Sequence, residues 1–512
     1  MAQKKSRTGI TSDMLITVMG GWQGVNTEDD TTQITDTQGI DCLNIVQTKE
    51  TKKRGGYAKV NSTELTGSTG IYGLMPYYKS GGSDELLVAS HTTVQVLDTG
   101  TGVFTQPSGG TGLTTNEYTI GKQFKNILVI TKTSDAPRKY NGSTVALLGG
   151  SPPTCKYQEV HKNYHFLAGN STYQSRLYWS NVSDNETWSA LDFVDVYPDD
   201  GDIITGLHST LDALIIFKRY NVYVLYGDTP TYVEGLTLWR IKKASTDTGA
   251  PNQQSIAQIN KNLVYPSSNL GVQAFGGSIS SETIEFDSLS SKLMSKDITP
   301  TYSALNLSRI SQACAVNFDY KYILSVPNAS STTNNYNLVY DYLNNCWYFW
   351  NLPANCFATF RTSGVDTLYF GSPSNGFVYK YTPSIYTDAG TAINAYYYTK
   401  DYNMGSSTKD KEFYKFYVTL NKSTDYALTV EPVIDMETSA GSYSIAALST
   451  GFTLGTSVLG TDRIGTTTTH PSDAQIMNNR GKFIRFKFSN NVNNENFRLR
   501  DLSLYYKNRS AL

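Results

Sequence analysis

The sequence predicts an all-β protein: a β-propeller of about seven blades followed by a C-terminal β-sandwich. Three observations lead to this fold class. Tyr alone numbers 37 while charged residues make up only 17% of the chain, and β-branched and aromatic side chains suit a pleated, half-buried surface. One hairpin pattern recurs along most of the chain, and near residue 391 it gives way to longer alternating strands. At 512 residues the chain can form two or more domains.

The hairpin is clearest in the middle of the chain. An apolar run, Leu214–Phe217, is interrupted by the polar residues Lys218–Asn221 and followed by an alternating aromatic run, Val222–Tyr226, which stops at Gly227. This order of apolar, polar and alternating residues predicts two antiparallel strands joined by a turn.

The same hairpin recurs at nearly regular intervals. Its apolar strands start near residues 86, 127, 164, 214, 263, 322 and 368, a spacing typical of four-stranded propeller blades of roughly 40–50 residues. Seven units predict about seven blades. Six or eight remain open, because the first and last blades can share strands across the closure. A propeller also protects the edge strands that such an array would otherwise expose.

The two ends of the chain follow other patterns. Gly20–Asn44 has few apolar residues and is interpreted as an extended, partly ordered arm. The loop Ser439–His470, rich in Gly, Ser and Thr, is expected to be flexible. Longer alternating strands, typical of one sheet of a sandwich, are predicted at Ala392–Tyr398, Glu412–Leu420, Tyr426–Ile434, Phe483–Phe488 and Arg498–Tyr506.

These patterns divide the chain into three parts. Residues 1–70 form the arm and first strands, which contribute to the sandwich platform or to propeller closure. Residues 71–388 form the propeller and residues 389–512 the sandwich. Within the sandwich, Arg485 and Lys487 should occupy one face of their strand and Phe486 and Phe488 the other.

Charge and cysteine usage limit the classes of function. The formal net charge is −1, so no overall field attracts nucleic acid or an anionic membrane. The basic runs Lys4–Arg7 and Lys52–Arg54 are interpreted as solvated surface. Neither a signal peptide nor an apolar membrane span is apparent, which predicts a cytosolic chain without membrane insertion. The cysteines are interpreted as small buried hydrophobes, since they are odd in number and scattered: Cys42, Cys155, Cys314, Cys346 and Cys356.

Three polar motifs could carry chemistry, and each has a structural interpretation that we prefer. Asn181–Trp188 resembles the Asp-box turn of sialidase propellers, with Ser183 in place of its Asp, and that box is itself structural. His161 and His165 could share one side of a strand, but a zinc site needs further ligands. Asp199–Asp202 lacks calcium-loop spacing and is interpreted as a solvated acidic turn.

The aromatic cluster Trp347–Trp350 is the strongest candidate for a sugar or base platform. Alternate rings on a strand face opposite sides, so at most half could be exposed, and inter-blade core is the preferred interpretation. Phosphate-loop, dinucleotide and nucleophile-elbow motifs are all absent from the sequence. We therefore expect no enzyme activity, no catalytic, cofactor-binding or metal-binding residues, and no cofactor.

A set of spaced motifs resembles the tail nozzle, or tail hub (DNA-stabilising), proteins of short-tailed bacteriophages. The resemblance covers most of the chain and is one of spaced residues rather than of a reactive motif. It is carried by Gly20–Asn26, Cys42–Ile45, Lys53–Tyr57, Arg176–Asn181, Thr187–Leu191, Gly201–Leu207, Leu214–Lys218, Tyr223–Gly227 and Arg500–Tyr506.

The resemblance implies a structural protein of the virion tail, present in the host cytoplasm during assembly. Its subunits would form a ring, with six indicated by the family, below the portal–adaptor. The ring would retain the packaged genome and conduct DNA at ejection. The implied partners are further copies of the chain, portal–adaptor proteins, tail fibre or tailspike proteins and, transiently and non-specifically, genomic DNA.

One physical argument agrees with this expectation. Each phosphate neutralised by Lys or Arg strengthens DNA binding, so a nearly neutral wall allows a duplex to slide. The alternative is a glycan-binding or glycan-cleaving propeller that recognises the host surface. It is suggested by the Trp347–Trp350 cluster and by the resemblance of Asn181–Trp188 to an Asp-box.

Overall fold

Two structural units make up the described chain. A computed structural model describes residues 15–268, 270–276, 290–362, 364–421, 425–447 and 469–509. One unit contains the described residues up to Gly56, Cys346–Tyr348 and the described chain from Pro383 onward. The other contains Tyr57–Asn345 and Phe349–Thr382.

The chain begins with five strands: β1 (Leu15–Gly20), β2 (Gly39–Leu43), β3 (Ile45–Gln47), β4 (Thr51–Lys53) and β5 (Gly56–Lys59). Blades 1 to 3 follow, as β6 (Ile71–Tyr77), β7 (Glu85–Ser90), β8 (Thr93–Leu97) and β9 (Phe104–Thr105); β10 (Ile120–Phe124), β11 (Ile127–Thr131), β12 (Arg138–Tyr140) and β13 (Val145–Leu147); and β14 (Tyr157–His161), β15 (Tyr164–Ala168), β16 (Arg176–Trp179) and β17 (Phe193–Asp195).

Blades 4 to 6 are β18 (Ile204–Ser209), β19 (Ala213–Lys218), β20 (Asn221–Tyr226) and β21 (Arg240–Thr246); β22 (Ala257–Ile259), β23 (Asn262–Ser267), β24 (Gly271–Gly276) and β25 (Ser290–Leu293); and β26 (Cys314–Phe318), β27 (Lys321–Val326), β28 (Tyr336–Asp341) and β29 (Cys346–Trp350). Blade 7 contains β30 (Cys356–Thr362), β31 (Val365–Gly371) and β32 (Val378–Thr382), and β5 is its fourth strand.

The remaining strands are β33 (Thr387–Asp388), β34 (Thr391–Ala392), β35 (Ala395–Thr399), β36 (Lys411–Asn421), β37 (Tyr426–Ile434), β38 (Thr438–Ser439), β39 (Tyr443–Ala447), β40 (Thr469–Pro471), β41 (Gln475–Gly481), β42 (Ile484–Asn490) and β43 (Arg498–Asn508). Among the described residues the α-helix is a single short one, α1 (Thr299–Ser303). None of the helices in the described ranges has the length and apolar character needed to cross a bilayer.

The seven apolar runs found in the sequence are the second strands of seven blades, which confirms the predicted propeller. These strands, β7, β11, β15, β19, β23, β27 and β31, are largely or wholly buried. In β19, Leu214 and Ile216 belong to a core cluster with blade 3, whereas Ile215 and Phe217 belong to one with blade 5. Burial on both faces explains why these strands read as continuous apolar runs.

The first strands of the blades surround the propeller axis. Contacts link β6 to β10, β10 to β14 and β14 to β18, and further link β22 to β26, β26 to β30 and β30 back to β6. A short 3-10 turn, Gln253–Ser255, contacts both β18 and β26 and completes the circle.

β5 closes the propeller from the N-terminal side of the array. Tyr57 packs edge-on against Phe370 and Tyr379, with ring centroids 5.1 Å and 4.9 Å away. Asn61 follows β5, accepts a hydrogen bond from the Val378 amide at 2.8 Å and donates one to the Gly376 carbonyl at 3.0 Å. The array is thus fastened by a strand that precedes it in the chain.

The other unit contains two antiparallel sheets. In sheet A, β43 lies between β36 on one side and β1 and β4 on the other; β36 also pairs with β40 and β41, and β3 pairs with β4. Sheet B has the order β2, β35, β42 and β37, with β38 and β39 beside β37. The Phe416 ring of sheet A lies 5.6 Å from that of Phe486 in sheet B, so the sheets pack face to face as a sandwich.

Residue alternation in the sandwich follows the prediction. Phe486 and Phe488 are fully buried, whereas Arg485 and Lys487 are only partly buried. The predicted strand Tyr426–Ile434 has the same bounds as β37, with alternate residues buried along its length. A period of two therefore locates these strands well, because one face is core and the other is not.

One expectation about irregular segments is wrong, and another falls mostly outside the described residues. Gly20–Asn44 is not an extended arm: β2 pairs with β35, and Trp22 is buried, its Nε1 donating to the Tyr402 hydroxyl at 3.1 Å. The predicted loop Ser439–His470 contains β39, which pairs with β37. Residues 448–468 of that loop lie outside the described residues.

Candidate functional site

The axis of the propeller carries charged side chains on neighbouring first strands. Lys122 on β10 forms a 2.5 Å ion pair with Glu159 on β14, whose side chain is 5% exposed. His208 on β18 lies close enough to interact electrostatically with both charged groups, and burial lowers its pKa. The pair joins blade 2 to blade 3, and a carboxylate with so little solvent depends on that cation.

Amide groups form a second set of links around the axis. Gln253 Nε2 donates to the Gln158 carbonyl at 2.8 Å, and Gln158 Nε2 donates to the Ile120 carbonyl at 2.7 Å. The Tyr118 hydroxyl donates to Asn355 Oδ1 at 2.6 Å, and Asn355 Nδ2 donates to the Ile71 carbonyl at 2.8 Å. These hydrogen bonds join different blades, so the polar groups near the axis hold the ring together.

The segment Asn181–Trp188, which resembles an Asp-box, folds into a tight polar turn between β16 and β17. Asp184 accepts hydrogen bonds from the Glu186 amide at 2.9 Å and the Thr187 hydroxyl at 2.7 Å. The Trp188 indole donates to the Asn185 carbonyl at 2.8 Å. Each polar group named in this turn is engaged in maintaining it, in line with the structural interpretation.

His161 and His165 do not share a side of one strand, so that expectation is wrong. They lie on the paired strands β14 and β15, where Val160 is opposite His165 and Tyr164 is opposite His161. Paired residues share a face and neighbours alternate, which places the two rings on opposite faces. The turn Lys162–Asn163, with both residues at positive φ, separates the strands.

Both histidines are buried and held neutral by their surroundings. Burial lowers the pKa of His161 to about 4 and that of His165 to about 3. His161 Nδ1 lies 2.9 Å from the Ser209 hydroxyl, and His165 Nε2 lies 2.9 Å from Gln158 Oε1. Across the described ranges, no three His, Cys, Asp or Glu side chains are grouped in a way that could hold a metal ion.

The acidic turn Asp199–Asp202 is exposed at Asp199, Asp200 and Gly201, as expected, but Asp202 is buried. Asp202 is 5% exposed and accepts hydrogen bonds from the amides of Arg219 at 3.1 Å and Tyr220 at 2.9 Å. Asp200 forms a 2.7 Å ion pair with Lys218, whose side chain is fully buried. These carboxylates fix the turn between β19 and β20, as charge-assisted hydrogen bonds can do strongly.

The aromatic cluster cannot serve as an exposed platform. Trp347, Tyr348, Phe349 and Trp350 are each no more than 2% exposed. Trp350 stacks on Tyr381 of blade 7, with ring centroids 6.1 Å apart and planes within 12°. The inter-blade position preferred from the sequence is thus the one observed for Trp350.

The basic run Lys52–Arg54 is largely buried, so its interpretation as solvated surface is wrong. The Arg54 guanidinium contacts both carboxylate oxygens of Asp388, at 2.9 Å and 2.6 Å, and its Nε donates to Asn44. Lys53 is 1% exposed, and burial lowers its pKa to about 8. The run Lys4–Arg7 lies outside the described residues.

The cysteines follow the prediction. All five are buried, and none forms a disulfide. Burial raises the pKa of the Cys356 thiol to about 12 and that of Cys155 well above its ordinary value. Thiols in this state carry little thiolate at neutral pH and act as packing groups.

One feature was missed by the sequence reasoning: an aromatic cleft of about 320 Å³ at the outer rim of blades 3 and 4. Trp179 and Trp239 meet edge-on with ring centroids 5.1 Å apart, and Tyr197 beside them is 48% exposed. The Trp239 indole nitrogen is buried without a hydrogen-bond partner. The cleft is lined by Trp179, Phe193, Val194, Asp195, Val196, Tyr197, Leu225, Pro230, Trp239 and Ile241.

Comparisons with known proteins give no family for this chain. No protein-family profile matches it, and no curated protein matches it. Among solved structures it is similar to a computationally designed protein, Ika8 (9% identity, TM-score 0.37), to YCF48 from Cyanidioschyzon merolae (9%, 0.39) and to BBS1N in a complex with ARL6DN (10%, 0.38). Each match covers 64% of this chain and 98–100% of the other chain.

Proposed function

We propose that the chain is a structural protein of the tail of a short-tailed bacteriophage, one subunit of a ring that retains the packaged genome and conducts DNA at ejection. The observation that carries the proposal is the pairing of a seven-bladed propeller with a sandwich, the architecture implied by the tail-nozzle resemblance. Residues within its motifs, such as Arg54 and Asp202, are buried and hydrogen-bonded in these two units.

The packing around the propeller axis bears on where DNA would pass. Inter-blade bonds such as Lys122–Glu159 and Gln253–Gln158 occupy the axis side of the blades. A duplex about 20 Å wide exceeds the central channel of one propeller, which is narrow and bordered by the inner strands. The conduit therefore lies between subunits of a closed ring, and the nearly neutral chain, with net charge −1, forms a wall on which DNA can slide.

The proposed partners follow from this position in the tail. The chain binds further copies of itself, the portal–adaptor above and tail fibre or tailspike proteins beside it, while genomic DNA passes through transiently. It resides in the virion after assembly in the host cytoplasm.

The proposal is tested on virions of the phage that encodes the chain. Quantitative mass spectrometry against the portal protein should find the chain in several copies per virion, with six indicated by the resemblance. Antibody against the chain should label the tail in electron micrographs. Absence from virions refutes the proposal, and one copy per virion refutes the ring.

The aromatic cleft supports a second candidate, recognition of a host-surface glycan. Sugar rings stack on exposed aromatic faces, and Tyr197, which is 48% exposed, provides such a face beside Trp239 and Asp195. The test incubates the protein with host capsule or lipopolysaccharide and measures binding and new reducing ends. Binding lost in Tyr197→Ala but kept in Tyr320→Ala, another half-exposed tyrosine, favours this function; no signal with either glycan removes it.

A further inference from the structure

The first strand of sheet A has an edge with no partner strand within the described residues. β1 pairs with β43 in an unbroken register, from Leu15 opposite Tyr506 to Gly20 opposite Asp501, and with no other strand of the described chain. Its sequence, Leu-Ile-Thr-Val-Met-Gly, contains no charge and no proline. Natural edge strands are usually blunted by charges, proline or bulges, because a bare edge pairs readily with another chain.

The outward side chains of β1 itself are apolar. Ile16 and Val18 are 56% and 66% exposed, while Met19, which points the other way, is 4% exposed. Ile16 is opposite Tyr505, and the Tyr505 ring lies 5.6 Å from that of Tyr417 on β36. β1 is therefore seated by its inner side chains and presents branched apolar side chains to solvent.

The opposite edge of the same sheet also lacks a partner strand within the described residues, and it carries one exposed branched side chain. β41 pairs with β36 in the described chain and with no other strand. Ile476 on β41 is opposite Lys415 on β36, which is itself opposite Tyr505. Ile476 thus lies on the same outward face as Ile16, and it is 69% exposed.

The strand directions allow the two edges to join. The pairs β1–β43, β43–β36 and β36–β41 are all antiparallel, so β1 and β41 run in opposite directions at the two edges. A second copy displaced sideways along the sheet therefore brings its β41 antiparallel to β1 without inverting the sheet. The same contact can then repeat from one copy to the next, as a closed ring requires.

We propose that the occupant of the β1 edge is β41 of a second copy of this chain, so that sheet A continues from subunit to subunit. Backbone hydrogen bonds supply the contact, as in other cases of strand addition, and Ile16 and Val18 of one copy pack beside Ile476 of the next. This inference rests on the proposed function, since it names the surfaces that build the ring.

Cross-linking tests which edges meet. The purified full-length variants Val18→Cys and Ile476→Cys are mixed and treated with a short bismaleimide, which joins two thiols as thioethers. The five native cysteines are buried and do not compete. We expect heterodimers between the two variants and none with Val103→Cys, a control valine 58% exposed on the propeller.

Other outcomes overturn the proposal. Val18→Cys that cross-links only to itself indicates a symmetric β1–β1 contact. No cross-link at any protein concentration excludes contact between these edges. Heterodimers that form only after deletion of residues 2–14 mean that this preceding segment covers the edge of the complete chain.

A charge variant separates this inference from the proposed function. Ile16→Lys/Val18→Lys should keep the native circular dichroism and weaken self-association roughly tenfold or more, since lysines blunt an edge; Val103→Lys should not. Virions that contain the double variant in normal copy number refute the β1–β41 contact and leave the tail function intact. Cross-linking between residues 18 and 476 in a chain that is absent from virions does the reverse.

Discussion

At the scale of single residues, buried charged side chains stabilise the fold through partners that the sequence did not reveal. Arg54 is bound by Asp388, which lies 334 residues further along the chain. Local sequence reasoning assumes that a basic run is solvated, because burial of an unpaired charge is costly. Only the fold shows that such a charge has its partner.

Asp202 gives the first prediction at this scale. Asp202→Ala should lower the free energy of unfolding by about 3 kcal/mol, because the amides of Arg219 and Tyr220 in the β19–β20 turn lose a charged acceptor. Urea denaturation followed by circular dichroism measures the change. Asp199→Ala, at an exposed position of the acidic turn Asp199–Asp202, should have little effect; equal losses in both variants would contradict the assigned role.

The buried histidines give a pH prediction. The pKa of His161 is lowered to about 4 in the folded chain, against about 6.5 when unfolded. The unfolded chain therefore binds the proton first as pH falls, and folding stability decreases between about pH 6.5 and 4, by about 1.4 kcal/mol per pH unit. His165 adds a loss of the same sign that continues to about pH 3.

Urea midpoints at pH 7.5 and 5.0 check this. His161→Gln should show a smaller drop between the two values than the unsubstituted chain, whereas His91→Gln, with a ring that is only partly buried, should show the same drop. If stability depended on pH in His161→Gln as it does in the unsubstituted chain, the His161 imidazole would not be held neutral in the folded state.

At the scale of elements, the strands that could be located from the sequence are those whose two faces each have a uniform environment, either buried or exposed. Second strands such as β19, buried on both faces, gave clear apolar runs, and β37, with one buried face, gave clear alternation. The first strands were not located. β10 has the sequence Ile-Gly-Lys-Gln-Phe, with Lys122 and Gln123 near the axis. Such a mixture shows neither a continuous apolar run nor a regular alternation of apolar and polar residues.

The candidate sites show the same division. That the aromatic cluster was mostly core followed from alternation on a strand, and Trp350 indeed packs between blades. The cleft at blades 3 and 4 was not foreseen, because Trp179 and Trp239 are 60 positions apart and meet only when the blades stand side by side.

Strand β19 provides the element-scale prediction. Ile215→Asp and Phe217→Asp should each abolish soluble expression, because both side chains are at most 2% exposed. An unpaired buried charge costs several kcal/mol against a total stability of roughly 5–15 kcal/mol. Leu211→Asp, at a position 92% exposed, is the control. Folded protein with native circular dichroism from both core variants would mean that this strand is misplaced.

At the scale of the whole molecule, the N-terminal residues from Leu15 onward are integral parts of the units. Deletion of residues 2–45 removes β1 and β2 and the buried Trp22. Such a variant should fail to form the sandwich and cannot report on assembly. Surface substitutions on β1 avoid that problem.

Closure of the propeller gives the last prediction. Tyr57→Ala should destabilise the propeller by about 3–5 kcal/mol, because the ring packs against Phe370 and Tyr379 and leaves a cavity when removed. Tyr320→Ala, at a position 56% exposed, should change stability little. Hydrogen exchange should be fastest at β32 in Tyr57→Ala; uniform exchange across all blades would argue against closure at this point.

The position of β5 in the sequence also determines when its blade can form during translation. Asn61 is made 317 residues before its partner Val378, and at about 5–20 residues per second the ribosome needs roughly 15–60 s to reach it. Throughout that interval β5 has left the ribosome without its partner strand, while the earlier blades are already available to fold. The final blade can therefore be completed only after Val378 and its strand β32 have been made, and until then the nascent chain carries β5 as an unpaired strand.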